Sequence, residues 1–141
     1  MQIKNILVVC IGNICRSPMT EYLLKQQYPQ LNIESAGISG LVGHQADSKA
    51  QLCMQRLGID MQPHIARKLN ASHIKKADLI LVMSSRASFE LVQKAAMAGF
   101  GQLVAVSAAS SLAVDTARKT GMALVGFARG DRFNLYSGDL K

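Results

Sequence analysis

The residue pattern predicts an α/β protein: a doubly wound, mostly parallel sheet with helices on both faces. Three observations lead there. Short apolar runs rich in β-branched residues recur along the chain, helical spacing of apolar residues fills the gaps between them, and Gly or Pro closes most helical segments. At 141 residues, about half of them apolar, the chain is expected to form one domain around one core.

The elements follow in order. Ile6-Leu7-Val8-Val9 reads as a buried parallel strand. It runs into Cys10-Ile11-Gly12-Asn13, after which Ser17-Pro18 opens a helix bearing Met19, Tyr22, Leu23 and Leu24, closed by Pro29. Residues 32–36 form the second strand, ended by Gly37 and a Gly-rich loop. Residues 47–57 are helical with Gly58 as stop, and a short helix over 72–77 leads into the most apolar strand, 79–83. A helix over 88–98, a strand over 103–106, a helix capped by Ser110 and stopped by Gly121, and a strand over 122–127 complete the alternation. Arg129-Gly130-Asp131 reads as a turn, with the tail adding an edge strand. In such sheets ligands sit at the carboxyl ends of strands near the reversal of strand order, where Cys10 falls.

Composition excludes several functions. No apolar run approaches the ~20 residues of a membrane span, and no signal-peptide pattern precedes the first strand. The expectation is a cytoplasmic protein without membrane association. The net charge of +7 fits an anionic partner, but the basic residues are scattered and not interleaved with aromatics, so nucleic acid is not expected. Three cysteines, Cys10, Cys15 and Cys53, argue against a disulfide framework. Neither they nor the dispersed His44, His64 and His73 have metal-ligand spacing, so no metal and no cofactor is expected.

The chemistry lies in Cys10-Ile11-Gly12-Asn13-Ile14-Cys15-Arg16-Ser17, a Cys-x5-Arg-Ser loop between strand and helix. Five intervening residues let the backbone of Ile11, Gly12, Asn13, Ile14 and Cys15 curl with its N–H groups inward, as an anion nest. The helix beginning near Arg16 turns its positive dipole end to the same point. Arg16 presents a planar fork to two phosphate oxygens. Gly12 permits unusual backbone angles, and Asn13 tolerates a left-handed one. The field favours a Cys10 thiolate as nucleophile, and Ser17 can hydrogen-bond the sulfur and assist its departure. Spacing alone is equally compatible with a strand-end cysteine, an ordinary turn and a surface arginine; the strand-loop-helix context favours the cradle. Cys15 reads either as a small core residue or as a reversible disulfide partner shielding Cys10 from over-oxidation.

Residues 8–21 resemble the signature of the low-molecular-weight protein tyrosine phosphatase family. Ser35-Ala36-Gly37, His64-Ile65-Ala66-Arg67 and 77–83 resemble further segments of it, so the likeness covers about residues 1–83. It implies a Rossmann-like fold of the phosphotyrosine phosphatase I-like type, Cys10 as nucleophile, and Arg16 as phosphate binder and transition-state stabiliser. Asn13, Ser17, Ser35 and His64 would support the loop. The implied partners are a phosphotyrosine protein, with a bacterial tyrosine kinase of polysaccharide export as candidate, and phosphate or sulfate in the loop. A homodimer is compatible with it.

After residue 83 the likeness ends. The family's late Asp-Pro-Tyr segment supplies its general acid, and this chain has prolines only at 18, 29 and 63. Residues 84–141 instead resemble the C-terminal end of the formate dehydrogenase accessory sulfurtransferase family. No cysteine follows Cys53, so sulfur transfer has no basis there. The chain reads as a chimera joined near 83–84: a phosphatase-like enzyme of impaired turnover or, alternatively, a non-catalytic α/β domain that binds phosphate-like oxyanions. Among the late carboxylates, Asp131 is the better substitute acid and Asp115 a surface residue.

Overall fold

The computed structural model describes residues 2–83 and 88–140. The expected join at 83–84 falls at the edge of residues 84–87, which lie outside the described residues. Eleven elements follow in chain order: β1 (Asn5–Cys10), α1 (Arg16–Gln27), β2 (Asn32–Gly37), α2 (Ser48–Arg56), α3 (Ala71–Lys76), β3 (Leu79–Val82), α4 (Phe89–Met97), β4 (Gln102–Ala105), α5 (Ser111–Thr120), β5 (Ala123–Arg129) and β6 (Arg132–Ser137). Every strand and helix anticipated from the residue pattern is present.

The strands form one sheet in the order β2-β1-β3-β4-β5-β6. The first five run parallel, and β6 returns antiparallel along β5 as the edge. Strand order reverses at β1, whose neighbours are β2 and β3, so the carboxyl end of β1 is the switch point where such sheets hold ligands. Cys10 is its last residue.

Alternation of side chains along the strands separates two apolar layers. Leu7, Val9, Ile80, Val82, Leu103 and Leu124 face α3, α4 and α5, meeting Ile74, Leu91, Val92, Ala95, Ala113 and Ala117. Ile6, Val8 and Ile33 face the opposite way, against Leu24 of α1. A smaller cluster built on Ala50, Met54 and Met61 packs α2 onto Met19 and Tyr22 of α1. Helices therefore cover both faces. The alanines of α4 and α5 let these helices approach the sheet closely, and Gly121 ends α5 in a left-handed conformation with φ 70°.

Candidate active site

Every carbonyl of the loop from Cys10 to Cys15 accepts a hydrogen bond. Cys10 O accepts from Ile38 N at 2.9 Å, Ile11 O from Ser39 N at 3.0 Å, and Gly12 O from Leu41 N at 2.9 Å. Asn13 O accepts from His64 Nε2 at 2.7 Å. Ile14 O accepts from Asp47 N at 2.7 Å and Cys15 O from Met19 N at 3.1 Å. Because N–H and C=O point oppositely across each peptide plane, six tethered carbonyls turn the N–H groups toward the concave side. The N–H of Asn13 reaches Cys10 Sγ at 3.3 Å.

The helix start completes this concavity. Side chains of Asp47, Asn70, Ser88 and Ser110 cap α2, α3, α4 and α5. At α1 the cap position is Cys15, which makes no side-chain cap bond. The first-turn N–H groups of α1 and its dipole are thus directed at the loop. Arg16, the first residue of α1, is exposed beside it.

Behind the loop lies a buried polar network. Asn13 and Ser17 have no exposure at all, and Cys10, Ser35 and His64 are also buried. Asn13 Nδ2 donates to Ser17 Oγ at 2.8 Å and to Ser35 Oγ at 2.9 Å, while Asn13 Oδ1 accepts from the backbone N–H of Arg67 at 3.0 Å. Ser17 Oγ lies 2.9 Å from Cys10 Sγ. Ser17 already accepts from Asn13 and has one proton of its own, which it can give to the sulfur, the bond a thiolate needs. Among the described residues no buried side-chain polar atom lacks a partner.

The structure thus gathers Cys10, Asn13, Ser17, Ser35 and His64 around one loop, the set named by the motif together with the family resemblance, and it corrects the reading of Gly12 and of Cys15. Asn13 takes the left-handed conformation expected of it, with φ 58°, whereas Gly12 is not among the positive-φ positions. A Cβ on Gly12 would meet Leu41 at an ordinary 3.7 Å, so neither strain nor crowding demands glycine there. The glycine that the loop does demand is Gly37, where a Cβ would stand 2.5 Å from Ile11 O and 2.8 Å from Gly40 Cα. Cys15 is exposed and so is not a core residue. Its thiol is pushed up first by partial burial and then by the carboxylate of Asp47.

Asp131 does not join the site. It sits in the turn between β5 and β6, and β3 and β4 intervene between β5 and β1. Three strand spacings put it about 14 Å away across the sheet. Asp115 is exposed on α5 and Asp139 is exposed beyond β6. Asp47 is next to the loop, but its carboxylate is occupied by the N–H groups of Lys49 and Ala50 at the start of α2. At the carboxyl edge beyond β4 the chain offers Ser107, Ala108, Ala109 and Ser110, with no carboxylate.

Two residues escape a reading of the residue pattern. Glu21 is buried in α1, bonded to Ser35 and Lys25, and Arg67 holds Asn13 through its backbone N–H while its Nε donates to Ser35 O at 2.9 Å. Glu21 looks like an ordinary polar helix position, and no side-chain pattern reports a backbone donor. Among the described residues no group of three or more His, Cys, Asp or Glu could hold a metal ion. No helix there is long and apolar enough to cross a membrane.

A thiol at the switch point of a parallel sheet, followed by a loop of tethered carbonyls and an arginine at a helix start, defines the class of Cys-x5-Arg α/β proteins. The chain belongs to the low molecular weight phosphotyrosine protein phosphatase family, whose sequence model matches residues 5–99, and also to the FdhD/NarQ family, whose sequence model matches residues 65–141. The two matches share residues 65–99, so both extend past the expected join.

The low molecular weight protein-tyrosine-phosphatase Ptp of Acinetobacter johnsonii is 79% identical over 84 residues, 60% of this chain and 59% of that protein. The sulfur carrier protein FdhD of Corynebacterium efficiens is 62% identical over 76 residues, 54% of this chain but only 27% of that protein. Among solved structures, the Erwinia amylovora tyrosine phosphatase AmsI aligns at TM-score 0.63 with 36% identity, covering 75% of this chain and 70% of that one. The tyrosine phosphatase Wzb of Escherichia coli K30 in complex with sulphate aligns at 0.56 with 40% identity, covering 58% and 57%. The chain spans about three fifths of the length of the curated phosphatases it matches.

Proposed function

We propose that this chain, as one α/β domain joined near 83–84, is a cysteine-dependent phosphatase of the cytoplasm that hydrolyses phosphotyrosine-type monoesters. One observation supports the reading above all: six consecutive carbonyls are tethered outward around a buried cysteine whose sulfur lies 2.9 Å from the Ser17 hydroxyl. The Cys10 thiolate attacks phosphorus in line, forming an S–P bond as the P–O bond to the aryl group breaks. The N–H groups of residues 11–16 and the Arg16 guanidinium neutralise charge on the equatorial oxygens. Water then attacks the phosphocysteine, the S–P bond breaks, and Ser17 stabilises the departing thiolate. The protein substrate we favour is a bacterial tyrosine kinase, and phosphate or sulfate would occupy the loop as product or competitor.

Turnover is weakened because, among the described residues, no unengaged carboxylic acid stands beside the loop to protonate the leaving oxygen. General acid catalysis is worth about 10²–10⁴ in rate. Activated aryl phosphates, whose oxides leave without a proton, should therefore be hydrolysed far better than phosphotyrosine. The test is hydrolysis of an activated aryl phosphate by the chain and by Cys10→Ser, with phosphate or vanadate as competitor. Loss of turnover in the variant supports the mechanism, and activity that survives Cys10→Ser overturns it. The missing carboxylate also favours a second reading, a domain that binds oxyanions without turning them over. Oxyanion binding by the unmodified chain with no hydrolysis would establish that one.

A further inference from the structure

The mechanism above leaves one buried charge unused. Glu21 lies in the second turn of α1, is 8% exposed, and touches neither Cys10 nor the loop's concave side. One carboxylate oxygen receives Lys25 Nζ at 2.5 Å, and the other receives the Ser35 hydroxyl in a short contact. The remaining titratable groups around it are Tyr22 on α1, Glu34 on β2, and His64 and Arg67 from the loop after α2, which line the same groove of about 310 Å³. Arg67 is itself paired with Glu34 at 3.4 Å. Burial and, next, the charge of Glu21 push the Tyr22 hydroxyl up.

We propose that Glu21 is a positioning residue that, through Ser35 and Asn13, keeps the Ser17 proton on the Cys10 sulfur. The argument is one of donors and acceptors. Ser35 has a single proton, and the carboxylate takes it. Ser35 can then only accept from Asn13, which must present its NH₂ group on this side. The second N–H of that group goes to Ser17, so Ser17 in turn accepts, leaving its one proton for Cys10. The other end agrees, because the Arg67 N–H requires Asn13 Oδ1 to face it. The chain of bonds is therefore pinned between a backbone donor and a carboxylate acceptor. Without the carboxylate, the Ser35 proton seeks the Asn13 amide oxygen, and turning that amide reverses the bonds that lead to Cys10. A buried network of this kind strengthens along its length, so the far carboxylate is felt at the sulfur.

This rests on the phosphatase reading for its purpose but is tested without turnover. The rate of Cys10 alkylation by iodoacetate is measured against pH, read at the Cys10 peptide by mass spectrometry so that Cys15 and Cys53 do not interfere. Variants are the near-isosteric Glu21→Gln, Glu21→Leu, Ser35→Ala, and Glu21→Gln with Ser35→Ala, each with its folding checked by circular dichroism. Glu21→Leu should move the midpoint upward by about one pH unit, and Glu21→Gln, whose carbonyl still accepts from Ser35, by less. Once Ser35 is alanine, the Glu21 change should add nothing. A midpoint that stays put in both Glu21 variants, or shifts that simply add in the double variant, overturns the proposal. If Cys10→Ser retained hydrolysis, the phosphatase reading would fall, yet the alkylation profile would still decide the role of Glu21. Should Glu21→Leu fail to fold, Glu21→Gln and the double variant carry the decision.

Discussion

Residues 2–83 and 88–140 share one sheet but are held in different ways. In the first region the interior contains Asn13, Ser17, Glu21, Ser35 and His64, and printed onto them is a bond network spanning up to 54 positions in sequence. In the second region the core is Leu91, Val92, Ala95, Leu103, Ala105, Ala113, Ala117 and Leu124, and its polar burial is limited to Gln102 and Ser137 among the described residues. Its side-chain hydrogen bonds are mostly helix caps and one-turn contacts, such as Ser110 to Ala113 and Lys94 to Glu90. The difference teaches that the site and the scaffold are separable. Buried polar groups need exact partners, so they specify chemistry; apolar packing needs only volume and shape, so it accepts a different sequence.

Four changes would break or sharpen that contrast. Arg16→Ala should lower kcat/KM on an aryl phosphate by about 10²–10³-fold with little change in melting temperature, because it removes transition-state charge stabilisation alone. Leu91→Ala, in the second region, should cost about 2–4 kcal/mol in urea unfolding and leave phosphate affinity of the folded protein unchanged. If phosphate affinity falls instead, the two regions are not separable. Gly37→Ala should do both kinds of harm, costing about 1–3 kcal/mol and displacing Ile11, with activity reduced. The smallest effect concerns acid. Asp78 accepts from the N–H groups of Lys4 and Asn5, tying the start of β1 to β3, and those bonds hold its carboxyl below the usual range. Its contribution is therefore present above the ordinary value of 3.8 and fades as pH falls through the lowered one. Asp78→Asn should flatten the acid end of the stability curve, with the difference from the unmodified chain vanishing only below the lowered titration range, as read from urea unfolding against pH.

What the residues disclose follows from range. The strand at 79–82, the α5 cap at Ser110 and the stop at Gly121 rest on local chemistry, and each was legible. So was the strand-loop-helix turn, since Cys10, Asn13, Arg16 and Ser17 all lie within eight positions. Gly37 and Glu21 were not, because what constrains them comes from elsewhere: Ile11 presses on Gly37 from across β1 and β2, and Ser35 reaches Glu21 from fourteen positions away. Asp131 misled for the same reason. Its place after a strand was readable, but the number of strands between it and Cys10 was not.

The pairing of β3 with β4, through Ile80 with Leu103, Leu81 with Val104 and Val82 with Ala105, has a wider meaning. Here a strand that both family models match lies against a strand that only the FdhD/NarQ model matches, and what stitches them is amide to carbonyl, which is the same in every protein. A sheet edge is thus a seam that does not record ancestry. Any segment with the right direction, spacing and greasy side chains can be sewn to such an edge, and the loop at the end of β1 is shaped by stitches that all come from residues before β3.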